Sequence, residues 1–325
     1  MPPLTNLEPH RVIPGGRLWV HGESLPTSPH AGVTIGGTAA RISFASPSRL
    51  AVHVPTGVDS GTVPVKLDSV PGATLYAEVG RTLATGLHQV DSPVPHPDGS
   101  VFVTYSGSRG QDVPISVFRV TPDGAREPYV HSLVNATSLA LGPDGRLYVS
   151  SRFEGRVYRI GPDGKADVIA SELGIATGLA FGHDGSLYVG DRSGTIFRID
   201  SKGRTEEVAA VPPSVAAFHL AMGHDGWLYL AAPTLASFDP LRRVRVSDGM
   251  VETLEWTFGR PQGLAFDGHG VLHVVEALAG GCGVYALRPG QPRELVVGGR
   301  GLVGVAFGQD GRLFVCSADT LYGFA

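Results

Sequence analysis

Along most of the chain, apolar and polar residues alternate in short runs that end at Gly, Pro or Asp-Gly. Segments such as RLYVSS, SLYVGD and GTIFRI have a period of two, and no long stretch has the 3.6-residue period of an amphipathic helix. The pattern predicts many short strands joined by turns, with no helix. The abundance of turn formers, 45 Gly and 25 Pro, fits the same reading.

From residue 98 onward, one unit returns six times: DGSVFVTY, DGRLYVSS, DGSLYVGD, DGWLYLAA, HGVLHVVE and DGRLFVCS. The turn glycines are Gly99, Gly145, Gly185, Gly226, Gly270 and Gly311, spaced by 46, 40, 41, 44 and 41 residues. That spacing matches a four-stranded blade, so residues 75–325 are expected to form a six-bladed β-propeller. Asp-Gly suits a tight hairpin because the turn needs positive φ. The last copy ends at LYGFA after three strands, which would leave a bare strand edge. LYAEVGRTLATG, residues 75–86, resembles the blade-ending segments KADVIASELG and RTEEVAAVPP and is expected to supply the closing strand.

Residues 1–74 lack the period and read as alternating strands, RLWVHG, GVTIGG, RLAVHVP and TVPVKL, split by Pro and Gly turns. A compact immunoglobulin-like β-sandwich is expected there. The fold class is therefore all-β, a sandwich followed by a propeller, with no long linker between them.

Composition narrows the partners. A net charge of −4, a pI near 6.3 and the lack of like-charge runs argue against nucleic acid or an anionic membrane. Cys282 and Cys316 lie in different repeats without zinc spacing and read as free thiols. MPPLTNLEPH has neither a basic nor an apolar leader segment, and no run reaches the apolar length of a spanning helix. The chain as it stands reads as cytoplasmic, or as secreted or periplasmic where a signal peptide has been removed.

Residues 4–70 resemble the IPT/TIG family of immunoglobulin-like domains through LTNLEP, PGGRLWVHG, TIGGTAARI and SRLAVHVPTGVDSGTVPVKL. The resemblance implies a spacer, docking or self-associating module without chemistry of its own. Residues 75–325 resemble NHL and SMP-30/gluconolactonase-like six-bladed propellers through units such as ATGLAFGHDGSLYVGDRSGTIFRID. Such folds host hydrolases, lyases and binding proteins alike, so function has to be read at the rim.

In that architecture, residues before GLAFG and after LYVGD should ring one mouth of the channel. They are Asp91 with Tyr105 and Arg109, Thr137 with Ser151 and Arg152, and Thr177 with Asp191 and Arg192; His219, Gln262 with Glu276, and Ser317 with Asp319 follow. The resemblance to lactonases places Asp91, in VDSPVPHPDG, at an acidic metal-ligand position. The other ligand positions fall on Thr137, Thr177 and either His219 or Gln262, too few carboxylates for calcium. The resemblance to streptogramin lyases places His219 and Glu276 near a magnesium ion, with Gln262 where a second histidine is expected and Arg260 close by. Glutamine cannot serve as a general base. No G-x-S-x-G elbow for a serine nucleophile is present.

Arg109, Arg152 and Arg192 occupy the same loop in three successive repeats, and converging guanidinium groups favour carboxylate or phosphate. Alternatively, each pairs with a nearby acid (Asp191, Glu154 or Asp112) and stabilises its loop. The expectation is a non-catalytic binding protein with no cofactor. Its mouth, formed by Tyr105, Arg109, Ser151, Arg152, Asp191, Arg192, His219, Gln262 and Glu276, takes a small polar or anionic molecule or a peptide. The enzyme reading is a hydrolase or lyase that needs a divalent cation, calcium or magnesium, on Asp91 and Glu276, with His219 as acid or base. A third reading is a structural module that binds a protein partner or self-associates through the TIG-like domain.

Overall fold

The computed structural model describes residues 4–28, 30–278 and 280–325, and every regular element in it is a strand. None of the described residues forms a helix long and apolar enough to cross a membrane.

The N-terminal module is a sandwich. One sheet orders the strands Leu4–Glu8, Arg17–Gly22, Arg49–His53 and Arg41–Ala45; the facing strands are Thr74–Val79, Gly61–Leu67, Val33–Ile35 and Thr38–Ala39. Alternation sets the core: Leu18, Val20, Leu50 and Val52 point inward from one sheet, Ile35, Val63, Val65 and Val79 from the other.

The rest of the chain is a β-propeller. The first four blades are four-stranded antiparallel sheets that begin at Val94, Ala136, Ala176 and His219, and a fifth begins at Pro261. The last begins at Leu302 and takes its outer strand, Arg81–Ala84, from the start of the propeller chain. The first strands of consecutive blades touch in order, and the last touches the first, so the ring is closed. The stretch 75–86, read as one closing strand, divides: Thr74–Val79 pairs with Gly61–Leu67 in the sandwich, while Arg81–Ala84 closes the ring. The boundary between residues 74 and 75 therefore falls inside a sandwich strand.

The two modules share a sheet. Arg11–Val12 runs parallel both to Glu294–Gly298, the outer strand of the fifth blade, and to Thr74–Val79 of the sandwich. The result is one nine-stranded sheet from Pro261–Phe266 to Thr38–Ala39. The amide of Ile13 donates to the Gly298 carbonyl at 3.0 Å and that of Gly80 to the Val12 carbonyl at 2.9 Å. A Cβ at Gly16 would sit 2.5 Å from the Gly298 carbonyl oxygen, so the junction requires a residue without a side chain.

Candidate binding site at the mouth of the ring

In each blade a tight turn, Asp-Gly in all but the fifth blade and His269-Gly270 there, joins the first two strands at one face of the ring. The loops after the second strands, and the segments leading into the first strands, meet at the other face, the mouth.

Arg109, Arg152 and Arg192 converge there. Together with Phe153, Gly174 and Ile175 they line a cavity of about 380 Å³. A neighbouring cavity of about 370 Å³ shares Arg152 and Arg192 and adds Gln89, Thr177, Arg260 and Gln262. None of these four arginines forms an ion pair among the described residues. Of the acids expected as partners, Asp191 accepts from the Ile175 amide at 2.7 Å and from Ser193, Glu154 accepts from the Tyr158 hydroxyl at 2.7 Å, and Asp112 is exposed and forms no ion pair with Arg109. The side chain of Arg192 donates to the Val215 carbonyl at 2.8 Å, and its Nε is buried without a partner. Burial lowers the pKa of Arg152, and the charges of Arg192 and Arg109 lower it further. Three cations thus share one site without an ion pair among the described residues to offset them.

The loops that hold them are rigidly tied. Asn135, fully buried at φ +51°, donates to the carbonyls of Ser106 and Ser108 at 2.7 and 2.8 Å, and its side-chain oxygen accepts from the Gly110 amide at 2.7 Å. This clamp fixes the loop carrying Arg109. Arg260, at φ +58°, adopts a left-handed conformation that costs a residue with a side chain about 1 kcal/mol or more. Asparagine is among the residues that favour positive φ, so Asn135 left a weak signal in the sequence, whereas Arg260 left none. Gln89 was missed as well: it is buried, donates to the Ser317 carbonyl at 3.2 Å, and its Oε1 lacks a partner.

Several residues expected to face a ligand instead tie the blades together. Ser151, Asp191 and Glu276 each end a second strand, paired respectively with Ala136, Ala176 and Pro261. The Ser151 hydroxyl donates to the Val134 carbonyl at 2.6 Å, and Asp191 holds Ile175, so each anchors the chain entering its own blade. Glu276 is buried against Arg293 at 2.9 Å, and that guanidinium lies over the Phe258 and Tyr285 rings. Burial raises the pKa of Glu276 against the pull of Arg293, and burial, with help from Glu276, pushes the Tyr285 phenol up to about 12. Tyr105 is half-buried beside His88, with ring centres 6.1 Å apart.

His219 is not a rim residue equivalent to Thr137 and Thr177. Its pairing with Ala231 puts it in register with Gly178, which pairs with Gly190, one residue further along the strand. A one-residue offset turns a side chain to the other face of a strand. The corresponding positions in the next two blades are Gly263 and Gly304, where a Cβ would meet the Gly304 and Ser92 α-carbons at 2.6 and 2.4 Å. His219 is fully buried, with Nδ1 2.7 Å from Asp91 Oδ1 and Nε2 3.0 Å from Gln262 Oε1. Asp91 also accepts from the Ser92 amide at 2.7 Å, and its carbonyl receives the Cys316 thiol at 3.5 Å. Burial, followed by the charge of Asp91, pushes that thiol well above its usual range. This linked group joins the segment entering the first blade to the fourth, fifth and sixth blades beneath the mouth cavity. A divalent cation does not fit these donors: Asp91 is committed to His219, Glu276 to Arg293, and no group of three or more His, Cys, Asp or Glu suited to a metal occurs among the described residues.

Comparisons with known proteins agree with the architecture. Residues 2–79 match the IPT/TIG domain family. No curated protein sequence matches the chain. Among solved structures, an auxiliary nutrient binding protein from Bacteroides ovatus is similar over 99% of this chain and 97% of its own, at 12% identity and a TM-score of 0.58. A gluconolactonase from Xanthomonas campestris is similar over 81% and 89%, at 16% identity and 0.61. A catalytically inactive virginiamycin B lyase from Staphylococcus aureus is similar over 94% and 90%, at 15% identity and 0.55. At these identities the likeness concerns the fold.

Proposed function

We propose that the protein is a non-catalytic binding protein, a six-bladed propeller of the NHL/SMP-30 kind whose mouth recognises a small anionic molecule, with the TIG domain holding the propeller in place. One observation carries the reading: Arg109, Arg152, Arg192 and Arg260 border two adjoining cavities without a carboxylate partner among the described residues. Like charges held together in a partly buried site cost stability, and a bound oxyanion would relieve that cost through charge-assisted hydrogen bonds. The Asn135 clamp and the strained Arg260 support it, because preorganised groups lose less freedom on binding. Catalysis finds less support: His219 and Glu276, the residues an enzyme would use, are buried and already paired.

The test is thermal unfolding of the wild type and of R109A/R152A/R192A with sulfate, phosphate, acetate, calcium, magnesium or a chelator. A ligand of the folded state raises the midpoint by mass action. Stabilisation by oxyanions in the wild type alone is the expected result. Stabilisation by a metal, reversed by the chelator, would instead favour a hydrolase or lyase.

A further inference from the structure

The apolar residues at the mouth extend the anion site. Large exposed hydrophobic side chains are costly to leave in water and, when grouped beside polar anchors, mark a binding surface. Phe153 and Ile175 are 54% and 38% exposed, and both line the cavity bordered by Arg109, Arg152 and Arg192. Val215, 43% exposed, lines the adjoining cavity and accepts from Arg192 at 2.8 Å through its carbonyl. Phe153 packs one side of its ring against the clamped Arg109 loop: a Cβ at Gly110 would lie 3.1 Å from Cε2. The Arg152–Arg192 pair belongs to both cavities, so a group held there has the apolar wall of Phe153 and Ile175 on one side and a mixed wall of Gln262, Val90, Val215 and Val303 on the other.

We infer that the mouth binds a small amphiphilic acid, with its carboxylate or phosphate on Arg152 and Arg192 and an aryl or branched-alkyl group against Phe153 and Ile175. The inference rests on the anion-binding reading above and names the ligand class. Charge complementarity selects the anionic end, since the site supplies cations and no free carboxylate among the described residues. Exposed aromatic and aliphatic side chains select the other end, where a sugar acid or a bare inorganic anion would leave Phe153 and Ile175 in water. Each cavity is of the size that holds part of a small ligand.

The experiment compares matched probes by calorimetry or ligand-observed NMR: acetate with phenylacetate, and inorganic phosphate with phenyl phosphate. The proteins are the wild type, F153S/I175S and R152A/R192A. In the wild type the aryl acid should bind about tenfold or more tightly than its bare counterpart, as expected for covering one ring. In F153S/I175S that ratio should fall to about twofold. Whichever pair binds more tightly identifies the oxyanion as carboxylate or phosphate. Equal binding of aryl and bare acids to the wild type, lost in R152A/R192A, would overturn the amphiphile and leave the anion site standing. A ratio that survives F153S/I175S would likewise overturn it, placing the apolar group elsewhere. No binding of any probe would overturn both readings. Because Phe153 backs the Arg109 loop, I175S alone keeps the test valid if the double variant melts early.

Discussion

The two faces of the propeller use arginine in opposite ways. At the face of the Asp-Gly turns, arginines on the third strands of the first, third and fourth blades reach back to the turn aspartates, whereas Arg159 of the second blade forms no ion pair among the described residues. Arg119 meets Asp98 at 2.6 Å, Arg198 meets Asp184 at 2.8 Å, and Arg243 meets Asp225 at 3.4 Å and Glu252 at 2.7 Å. Burial works against the Asp98 carboxylate, yet hydrogen bonds from Ser100, His96 and Arg119 hold its pKa well below the usual range. At the mouth, Arg109, Arg152 and Arg192 form no ion pair among the described residues, although Asp191 and Glu154 are close by in sequence. The first and third repeats thus neutralise their arginines, Arg119 and Arg198, where they only have to fold and leave Arg109 and Arg192 without an ion pair where the blades converge. The difference teaches that charge pairing, more than residue type, separates scaffold from site.

The strongest way to break this contrast is to remove the mouth charges. R152A/R192A should lower the affinity for an oxyanion probe about a hundredfold or more, since charge-assisted hydrogen bonds are worth about 1.5–3 kcal/mol each. The melting point should not fall. Calorimetry and a thermal melt check both parts.

Next in size is the group beneath the mouth. H219A removes a fully buried ring that bridges Asp91 and Gln262 and should cost about 2–3 kcal/mol of stability in urea unfolding. It should change oxyanion affinity little. A loss of affinity without loss of stability would return His219 to the role of an acid or base.

The opposite face should behave as scaffold. R198Q removes partly exposed pairs with Asp184 and Glu206, so a loss of about 0.5–1 kcal/mol is expected, with binding unchanged. The Asp184 pKa is lowered: burial opposes, but hydrogen bonds from Ser186 and Arg198 prevail. Its contribution is therefore present above the ordinary carboxylate value of 3.8 and is lost as pH falls through the lower folded value.

R152Q sharpens the comparison from the other direction. Removing one of three clustered charges should raise the stability of the ligand-free protein by about 0.5 kcal/mol, a gain typical of residues kept for function.

The smallest effect concerns pH. Burial lowers the pKa of His88, and Arg152 lowers it further. The folded protein therefore binds fewer protons there than the unfolded chain, and this contribution to stability is lost as pH falls below about 6.5. An anion on Arg152 offsets the repulsion, so binding takes up a proton and affinity for a sulfonate probe should rise a few-fold as pH drops from about 7.5 to about 5.5. H88N should abolish the rise.

Much of this architecture was legible because each repeat writes it in local chemistry: Asp-Gly turns and period-two alternation mark the strands without reference to the rest of the chain. Arg152 and Arg192 hold equivalent positions in that repeat, and Arg109 lies further along the corresponding loop, so the repeat drew attention to all three. What escaped depends on long-range geometry. Arg11–Val12, too short to show a period, joins the two modules because it lies between Glu294–Gly298 and Thr74–Val79. His219 was placed one residue off because the segment AAFHLAMG has no glycine to mark the register. Asp191 and Glu276 resembled ligands because an acid that ties a loop and an acid that binds a substrate are the same residue in a sequence.

The central claim is that the unpaired arginines at the mouth form an oxyanion site, and anomalous scattering tests it most directly. Crystals grown or soaked with selenate should show an anomalous peak within hydrogen-bonding distance of the Arg152 and Arg192 guanidinium groups, and none at Arg119, Arg198 or Arg243. Peaks confined to other surfaces, with the mouth empty at full selenate occupancy elsewhere, would contradict the account.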